Sequence, residues 1–470
     1  MTTTLTAAQA VPVPHPPHRI PLIGDVIGMS LSTPVQSVMR QAADLGPIFT
    51  RRVMKVRITV VSGADLIADL VDETRFAKHL PPAVAQLRSI AGDGLFTAFN
   101  DEPNWRLAHD LLRPAFTQQA MRGYHRIMLD VADQLTDRWD SGEAFDVAAD
   151  MTKVTLETIG RTGFSYSFGS FGSGTQHPFV DAMVQALRHS LRTVFRPPVI
   201  GDLLLRRADQ RQAVNVRTVF ELVEDVIATR MASGGQGPDD LLGLMLRGSD
   251  QAAALDPVNV RNQIVTFLVA GHETTSGALS FALYYLSRHP DVLARAQAEV
   301  DSVWGPDGEP PFEQVAKLRY LRRVLDESLR LWPTVPAFAR EAREDTLIGG
   351  RYPMREGDWA LVLIPGLHRD PAWGADRDRF DPDRFEPERV KARPGHIYKP
   401  FGTGERACIG RQFAIHEAVL VLGTLLRRYD LVGDPRYDLQ VSERLTLMPA
   451  GFMLTPRRRT QPRTATASPN

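Results

Sequence analysis

The chain has 470 residues, of which 43% are hydrophobic and 23% are charged, a composition that suits a large globular core. Lys plus Arg and Asp plus Glu each total 55, so charge gives no reason to expect a nucleic-acid partner. No apolar run is long enough to span a bilayer, and the N-terminus lacks the pattern of a secretory signal. The single cysteine excludes an intramolecular disulfide and suits a reducing compartment. We therefore expect a cytoplasmic protein without membrane insertion.

The predicted domain organisation is simple. Residues 1–20 form a flexible Pro-rich segment, and residues 456–470 form a flexible basic tail. Because no repeat or change of composition divides the chain between them, residues 21–455 are predicted to form a single domain.

The periodicity of the apolar residues predicts mostly helices. A first helix is expected at 34–45, followed by strand-like alternation at 48–62. Helical stripes dominate 105–345, and short strand signals return at 340–365. The fold class is therefore predicted to be mainly α with a minor β part.

The longest apolar helix contains the sequence Ala-Gly-His-Glu-Thr-Thr, residues 270–275. The Thr274 hydroxyl, four residues after Ala270, can bond back to the Ala270 carbonyl or open the helix locally with a water. If this is simply a buried core helix, close packing explains the glycine but not the hydroxyl and the acid. A hydroxyl beside the titratable acid Glu273 is instead a pairing that proton transfer requires.

Two charged residues lie one turn apart on a later helix. Glu327 and Arg330, just before Leu-Trp-Pro, can form a salt bridge. A surface pair of this kind contributes under about 1 kcal/mol, so it carries little meaning alone.

The only cysteine, Cys408, lies in a Gly-punctuated loop that leads into an apolar helix. The first N–H groups of a helix and its positive dipole end stabilise a thiolate. Gly404 permits backbone angles that a side chain would forbid, and Gly410 allows a flat group to approach the helix. Arg406 can reach an anionic group. A lone cysteine is otherwise most often a small buried hydrophobe, so the spacing of the motif must decide.

That spacing, Phe-x-x-Gly-x-Arg-x-Cys-x-Gly over residues 401–410, resembles the haem-binding loop of the cytochrome P450 family, in which the cysteine is the axial iron ligand. The Ala-Gly-x-Glu-Thr-Thr helix resembles that family's oxygen-binding helix, and Glu-x-x-Arg followed by Phe-Asp-Pro-Asp-Arg-Phe resembles its charge network. The likeness runs from about residue 34 to 455 and is closest to the haem domain of bacterial self-sufficient fatty-acid hydroxylases. It implies the cytochrome P450 fold, haem b as cofactor and a monooxygenase.

The resemblance also implies residue roles. Cys408 would bind the iron, Thr274 would donate a hydrogen bond to oxygen, and Glu273 would relay protons. The residues expected to contact haem are Arg406, Trp105, His109, Arg340, Phe401 and Gly410. The residues expected to form a structural charge network are Glu327, Arg330 and Arg384. The residues expected to contact an apolar substrate are Phe96, Phe267, Ala270, Ala337, Phe338 and Leu445.

Two departures from those hydroxylases shape the expected partners. The chain ends where they continue into flavin domains, so electrons are expected from a separate ferredoxin or flavodoxin with its NAD(P)H-dependent reductase, unless the chain is an excised domain. Val56 and Val60 stand where that group has the Arg and Tyr that bind the fatty-acid carboxylate. Arg57 should point to the opposite strand face. Besides O₂, the expected substrate is a hydrophobic small molecule, a polyketide or other natural product.

Three alternatives remain at this stage. The chain could be a fatty-acid hydroxylase, or a peroxygenase or isomerase that needs no external electrons. A peroxygenase would be insensitive to Thr274→Ala. The chain could also be a haem-binding sensor without catalytic activity.

Overall fold

The computed structural model describes residues 11–30, 32–172, 177–193, 201–232, 240–249, 253–305 and 308–460. The α-helices are α1 (Pro34–Leu45), α2 (Ala64–Leu70), α3 (Pro82–Ala85), α4 (Arg88–Ala91), α5 (Pro103–Leu112), α6 (Gln118–Trp139), α7 (Val147–Phe164), α8 (Pro178–Thr193), α9 (Gly201–Ala232), α10 (Leu241–Arg247), α11 (Pro257–Arg288), α12 (Pro290–Trp304), α13 (Phe312–Val315), α14 (Arg319–Leu331), α15 (Ile364–Leu367), α16 (Pro387–Lys391) and α17 (Arg411–Arg428).

The strands are short, as the sequence predicts for a minor β part. They are β1 (Ile48–Val53), β2 (Val56–Val61), β3 (Phe76–His79), β4 (Phe145–Asp146), β5 (Ala337–Ala342), β6 (Thr346–Ile348), β7 (Tyr352–Met354), β8 (Trp359–Leu363), β9 (Tyr429–Gly433), β10 (Val441–Glu443), β11 (Leu447–Pro449) and β12 (Met453–Arg458). Among the described residues, no helix is both long and apolar enough to cross a bilayer.

The chain folds into two compact units, whereas the sequence predicts one domain at 21–455. The first unit comprises residues 1–79 and 329–408, and the second comprises 80–328 and 409–470. Each unit is assembled from two separated stretches, and α14 runs continuously across one of the boundaries. A boundary inside a helix produces no linker and no change of composition, so the sequence carries no sign of it.

The first unit is built around a five-stranded sheet in the order β1-β2-β8-β5-β3. The β1–β2 hairpin is antiparallel, and β2 runs parallel to β8. On β2, Val60 is 1% exposed and packs with Phe49 and Leu363. Arg57 is exposed and pairs across the hairpin with Arg52. Arg57 thus lies on the face opposite Val60, as predicted. The alternation itself holds only at the start of the strand, because Thr59, Val60 and Val61 are all buried.

The second unit is helical and centres on α11. The Asp256 carboxylate caps this helix by accepting the N–H groups of Val258 and Asn259. Most of α11 is buried, and it packs closely on α7. At the contact, a Cβ on Gly271 would lie 3.0 Å from the Ile159 side chain, so a glycine lets the two helices approach. A small sheet, β4-β12-β9, and the β10–β11 hairpin complete the unit.

Parts of both predicted flexible termini are ordered. Near the N-terminus, the Val11 N–H donates to the Arg351 carbonyl, and the Thr50 N–H donates to the Pro14 carbonyl. At the other end, β12 pairs with β9 as far as Arg458, beyond the predicted boundary at residue 455. Arg459 forms a buried ion pair with Asp301 at 2.5 Å. The first basic residues of the predicted solvated tail therefore form the end of strand β12. Residues 1–10 and 461–470 lie outside the described ranges.

Candidate active site

The loop that carries Cys408 has a defined shape. The Cys408 N–H donates to the Phe401 carbonyl at 2.9 Å, and residues Gly404–Arg406 form a 3-10 turn. The thiol is exposed, and α17 begins at Arg411, three residues later. The thiol therefore stands at the start of a helix, as the sequence predicts, on a turn that fixes its position.

Glu73, which the sequence did not single out, holds this loop. Its carboxylate accepts the Glu405 N–H at 3.0 and 3.1 Å. Gly404, at φ +67°, packs so tightly on Glu73 that a Cβ there would lie 1.9 Å from Oε1. A glycine is therefore needed for both backbone angle and space. No sequence signal could reveal this contact, because the partners are 332 residues apart.

Arg340 belongs to the same neighbourhood. Its guanidinium donates to the carbonyls of Leu70 at 2.9 Å and Phe76 at 2.7 Å, and lies 3.9 Å from Glu73. Burial lowers the pKa of Arg340, although the charge of Glu73 opposes the shift. The side chain thus links β5 to the α2–β3 connection. Its contact with haem remains a prediction, as do those of Arg406, Phe401 and Gly410.

Arg330 is completely buried at the end of α14. It donates to the carbonyls of His368 at 2.8 Å, Arg377 at 2.6 Å and Arg379 at 3.2 Å. Five donors in a planar fork suit such a set of carbonyls. Glu327 is equally buried one turn earlier, and the charge network predicted for the pair remains a prediction.

Arg384, the third predicted member of the network, is 5% exposed. It donates to the carbonyls of Trp373 at 2.8 Å and Asp376 at 2.7 Å, and pairs with the Asp376 carboxylate. Its contacts hold together the segment from Trp373 to Arg384, and its predicted place in a network with Glu327 and Arg330 remains a prediction.

His368 connects the end of α14 to the segment that enters the cysteine loop. Its Nε2 accepts the Lys399 N–H at 3.0 Å, which leaves Nδ1 to donate to the Arg330 carbonyl at 3.0 Å. Burial lowers the pKa of His368 to about 3, so the imidazole stays neutral and this tautomer is kept. The sequence motifs do not identify His368, since one histidine in a loop carries no pattern.

In the second unit, the centre of α11 has the first of the two arrangements that the sequence allows. The Thr274 hydroxyl donates to the Ala270 carbonyl at 2.6 Å. Ala270 is exposed and Thr274 is half-buried on a helix that is otherwise mostly buried. His272, between them, is fully buried, and this burial lowers its pKa. In the middle of α11, Ala270 and Thr274 are therefore accessible to a ligand.

Glu273 is buried and linked to the β10–β11 connection. The Thr446 hydroxyl donates to its Oε2 at 3.2 Å, and Arg444 Nη1 lies 3.9 Å from Oε1. The Arg444 side chain is 30% exposed, so it extends from the buried acid towards solvent. The sequence singled out Leu445 in this connection but missed the two residues that flank it.

Trp105 and His109 lie together on α5. Their rings stack at a centroid distance of 5.0 Å, and the Arg106 guanidinium lies 4.8 Å from the Trp105 ring. His109 Nδ1 is 3.1 Å from the Asp110 carboxylate. Proximity along one helix face is as predicted, and the haem contacts of both residues remain predictions.

The predicted substrate contacts divide between the units. In the second, Phe267 is buried and stacks on Phe116 at 5.9 Å, while Phe96 is 38% exposed. Leu445 is half-buried. In the first, Ala337 and Phe338 are half-buried on β5, and Phe338 packs against the core cluster. Their contacts with a substrate remain predictions.

The residues present fit a haem group. An exposed cysteine on a rigid turn offers a sulfur ligand, and its place before a helix favours the thiolate. In the second unit, the exposed Ala270 presents a small apolar side chain one turn before the half-buried Thr274 hydroxyl. Together with the mainly α fold, these features define a haem-thiolate protein.

Comparison with known proteins supports this class of protein. Residues 14–460 match the profile of the cytochrome P450 family. Bifunctional cytochrome P450/NADPH–P450 reductases of Bacillus cereus and Bacillus subtilis are each 46% identical, over 95% and 96% of this chain and 42% of their own length. A self-sufficient cytochrome P450 monooxygenase of Phanerodontia chrysosporium is 37% identical, over 94% of this chain and 42% of its own. The chain thus spans about two fifths of the length of these relatives.

The chain belongs to the cytochrome P450 family. Membership confirms the predicted family, the mainly α fold and the haem b cofactor.

Proposed function

We propose that this chain inserts one atom of O₂ into a hydrophobic small molecule, using two electrons supplied from outside. The observation that carries the proposal is the pairing on α11: a half-buried Thr274 hydroxyl beside a buried Glu273 that reaches Arg444. O–O cleavage consumes protons, so an enzyme of this kind needs a hydroxyl and an acid with access to solvent.

In this proposal, haem supplies the redox chemistry that activates O₂. Cys408, the only cysteine, would hold the iron through its thiolate, which the start of α17 would stabilise. The Thr274 hydroxyl donates its hydrogen bond to the Ala270 carbonyl, so in this arrangement its oxygen would accept a hydrogen bond from a proton-carrying group instead of donating one to oxygen as the resemblance implied. Glu273 holds and passes protons, and Thr446 and Arg444 orient its carboxylate.

The proposed substrate is a neutral apolar compound, such as a polyketide or other product of secondary metabolism. The support is the β1–β2 hairpin. Val60 is buried in a small apolar cluster, and Arg57 is exposed opposite Arg52 on β1. Val56, half-buried on the other strand face, offers no charge to a carboxylate. The alternative is a fatty acid bound without a carboxylate contact at this hairpin.

Binding spectra separate these substrates. Neutral polycyclic and macrolide compounds should shift the haem from low to high spin at lower concentration than fatty acids of equal carbon number. Tighter binding of the fatty acids would favour the alternative. Val56→Arg, which places a cation on the hairpin, should improve the binding of fatty acids but not of the neutral compounds. The control is Val390→Arg, which places the same cation at an exposed position elsewhere.

The proposed electron donor is a ferredoxin or flavodoxin with its NAD(P)H-dependent reductase. The support is that similar bacterial proteins are named bifunctional cytochrome P450/NADPH–P450 reductases, in which the P450 is paired with a protein reductase. Reconstitution with each carrier, compared with hydrogen peroxide alone, tests the point. We also propose a cytoplasmic location, supported by the single cysteine and testable by cell fractionation.

The reaction class is tested by Thr274→Ala. Reductant should still be consumed, but product per reductant should fall by roughly tenfold or more as peroxide is released. The neighbouring Thr275→Ala, at a buried position, is the control. Unchanged, peroxide-driven product formation in Thr274→Ala would instead favour a peroxygenase or isomerase. A normal thiolate ferrous–CO spectrum in Cys408→Ala would contradict the assignment of the iron ligand.

A further inference from the structure

The segment between α4 and α5 is attached to α11 through Asp93. One carboxylate oxygen of Asp93 accepts the side-chain amides of Asn259 at 2.9 Å and Asn262 at 2.8 Å. The other accepts the side-chain amide of Asn104 at 2.7 Å. A single carboxylate thus joins residues from this segment, from α5 and from α11.

The hydrogen bonds continue and return to the same segment. The Asn259 side-chain oxygen accepts the Gln263 amide at 3.1 Å, and the Gln263 oxygen accepts the Leu95 N–H at 3.0 Å. Asn259, Asn262 and Gln263 are at most 4% exposed. Buried polar groups that satisfy one another in this way hold a structure rigidly, because breaking one bond leaves its partner unpaired. We call this set, Asp93, Asn104, Asn259, Asn262 and Gln263, the amide clasp.

The backbone of the segment lies directly on α11. A Cβ on Gly92 would be 2.2 Å from the Asn262 side-chain nitrogen, and one on Gly94 would be 2.1 Å from the Thr266 hydroxyl. Only glycine fits at both places. The clasp and these two contacts together leave the segment no freedom to slide along the helix.

The clasp also lies next in sequence to residues of the predicted substrate site. Phe96 comes directly after Leu95 and is 38% exposed. Phe267 lies one helical turn beyond Gln263, and Ala270 lies about one turn further. The clasp therefore sits immediately before the aromatic and apolar side chains predicted to contact the substrate.

The chemistry of the clasp calls for a carboxylate. The three neighbours present N–H groups to it, so both of its oxygens must accept. Burial by itself raises the pKa of Asp93, but the hydrogen bonds from Asn104, Asn262 and Asn259 hold that pKa below its usual value. Asp93 is therefore ionised at neutral pH and accepts only.

We propose that Asp93 is a positioning residue that fixes Phe96 relative to Phe267 and Ala270, and thereby selects which carbon of the substrate is oxidised. The choice of the oxidised carbon rests on the proposed monooxygenase function. The fixed position of the segment that carries Phe96 does not rest on it, and can be measured in haem-loaded protein without turnover.

The test is Asp93→Asn, which keeps the size but places an amide donor against amide donors. Asp101→Asn, at an exposed position a few residues along, is the matched control for charge. Asn104→Ala, which removes one of the three donors, is a milder variant in case Asp93→Asn folds poorly. Hydrogen exchange of the Leu95 amide should accelerate at least about tenfold in Asp93→Asn and less in Asn104→Ala, with no change in the control.

The second readout is the shape of the binding site. N-alkylimidazoles of increasing chain length bind to haem and report, by their absorbance shift, on the space beside it. The ratio of short-chain to long-chain affinities should change at least about threefold in Asp93→Asn, and the ratio of oxidised regioisomers should change with it.

The outcomes are distinct. Unchanged exchange at Leu95 overturns the clasp, and faster exchange with unaltered affinity and regioisomer ratios overturns the positioning role. A wild-type protein that binds the imidazoles but oxidises no apolar compound would contradict the proposed function. The exchange and affinity measurements would then still decide whether Asp93 sets the shape of the site.

Discussion

Glu73 accepts the backbone N–H of Glu405 through both carboxylate oxygens, at 3.0 and 3.1 Å. This contact holds the 3-10 turn that precedes Cys408, and Gly404 fits between the two partners at φ +67°. The shape of the loop therefore depends on a residue near the start of the chain, as well as on its own glycines.

Gly404→Ala should destabilise the protein by about 1–3 kcal/mol and weaken haem retention, because the new methyl group meets the Glu73 carboxylate and the backbone angle is strained. Gly395→Ala is the control, since a Cβ there meets nothing within 4 Å. Thermal unfolding and the rate of haem transfer to apomyoglobin measure the two effects. Equal values for both variants would contradict the proposed fit.

Arg330→Lys should cost about 3–5 kcal/mol of folding free energy, although charge is conserved. A lysine cannot reproduce the fork that serves the carbonyls of His368, Arg377 and Arg379, and buried carbonyls would lose their partners. Arg319→Lys, at the exposed start of the same helix, should be nearly neutral. Denaturant unfolding of the two variants measures the difference in stability. Similar midpoints would show that a positive charge at residue 330 is enough to keep the protein stable, without the guanidinium fork.

Glu417→Gln should stabilise the protein increasingly as pH rises. Burial raises the pKa of Glu417 from 4.5 to about 8, and the nearby Thr158 hydroxyl offsets this only in part. The folded protein thus keeps a proton that the unfolded chain releases. The proton retained on Glu417 makes its full contribution to the free energy of unfolding below pH 4.5. That contribution is lost, at about 1.4 kcal/mol per pH unit, as the pH rises towards 8.

Unfolding of Glu417→Gln and wild type should be compared at several values from pH 5 to pH 8. The gap in stability should widen in favour of the variant, because glutamine has no proton to lose. The exposed Glu388→Gln provides the control. A gap independent of pH would show that Glu417 is already ionised in the folded protein.

Truncation tests the revised C-terminal boundary. Removing residues 456–470 should destabilise the protein markedly more than removing 461–470, because only the longer deletion cuts β12 and the Arg459–Asp301 ion pair. Thermal unfolding of the two proteins is sufficient. Equal melting temperatures would support the tail predicted from composition.

Local patterns predicted much of the structure. The helix at 34–45 and the outward direction of Arg57 were predicted, and the Thr274–Ala270 hydrogen bond was one of two arrangements considered, because all three depend on neighbours in sequence. Composition failed at the C-terminus, because the arginines of β12 resemble a solvated tail until their strand partner and Asp301 are known. The partition into two units was equally invisible, since one boundary falls inside α14.

The class of protein follows from the sequence alone. Motif spacing around Cys408 and on α11 reflects chemistry that acts over a few residues, and that chemistry is readable along the chain. How those motifs are held depends on the tertiary fold. The contacts that hold them join residues far apart in sequence. They are Glu73 with the cysteine loop, His368 with Arg330 and Lys399, Arg444 with Glu273, and Asp93 with the asparagines of α11. Burial and hydrogen-bond geometry select such partners, and neither leaves a periodic trace in the sequence.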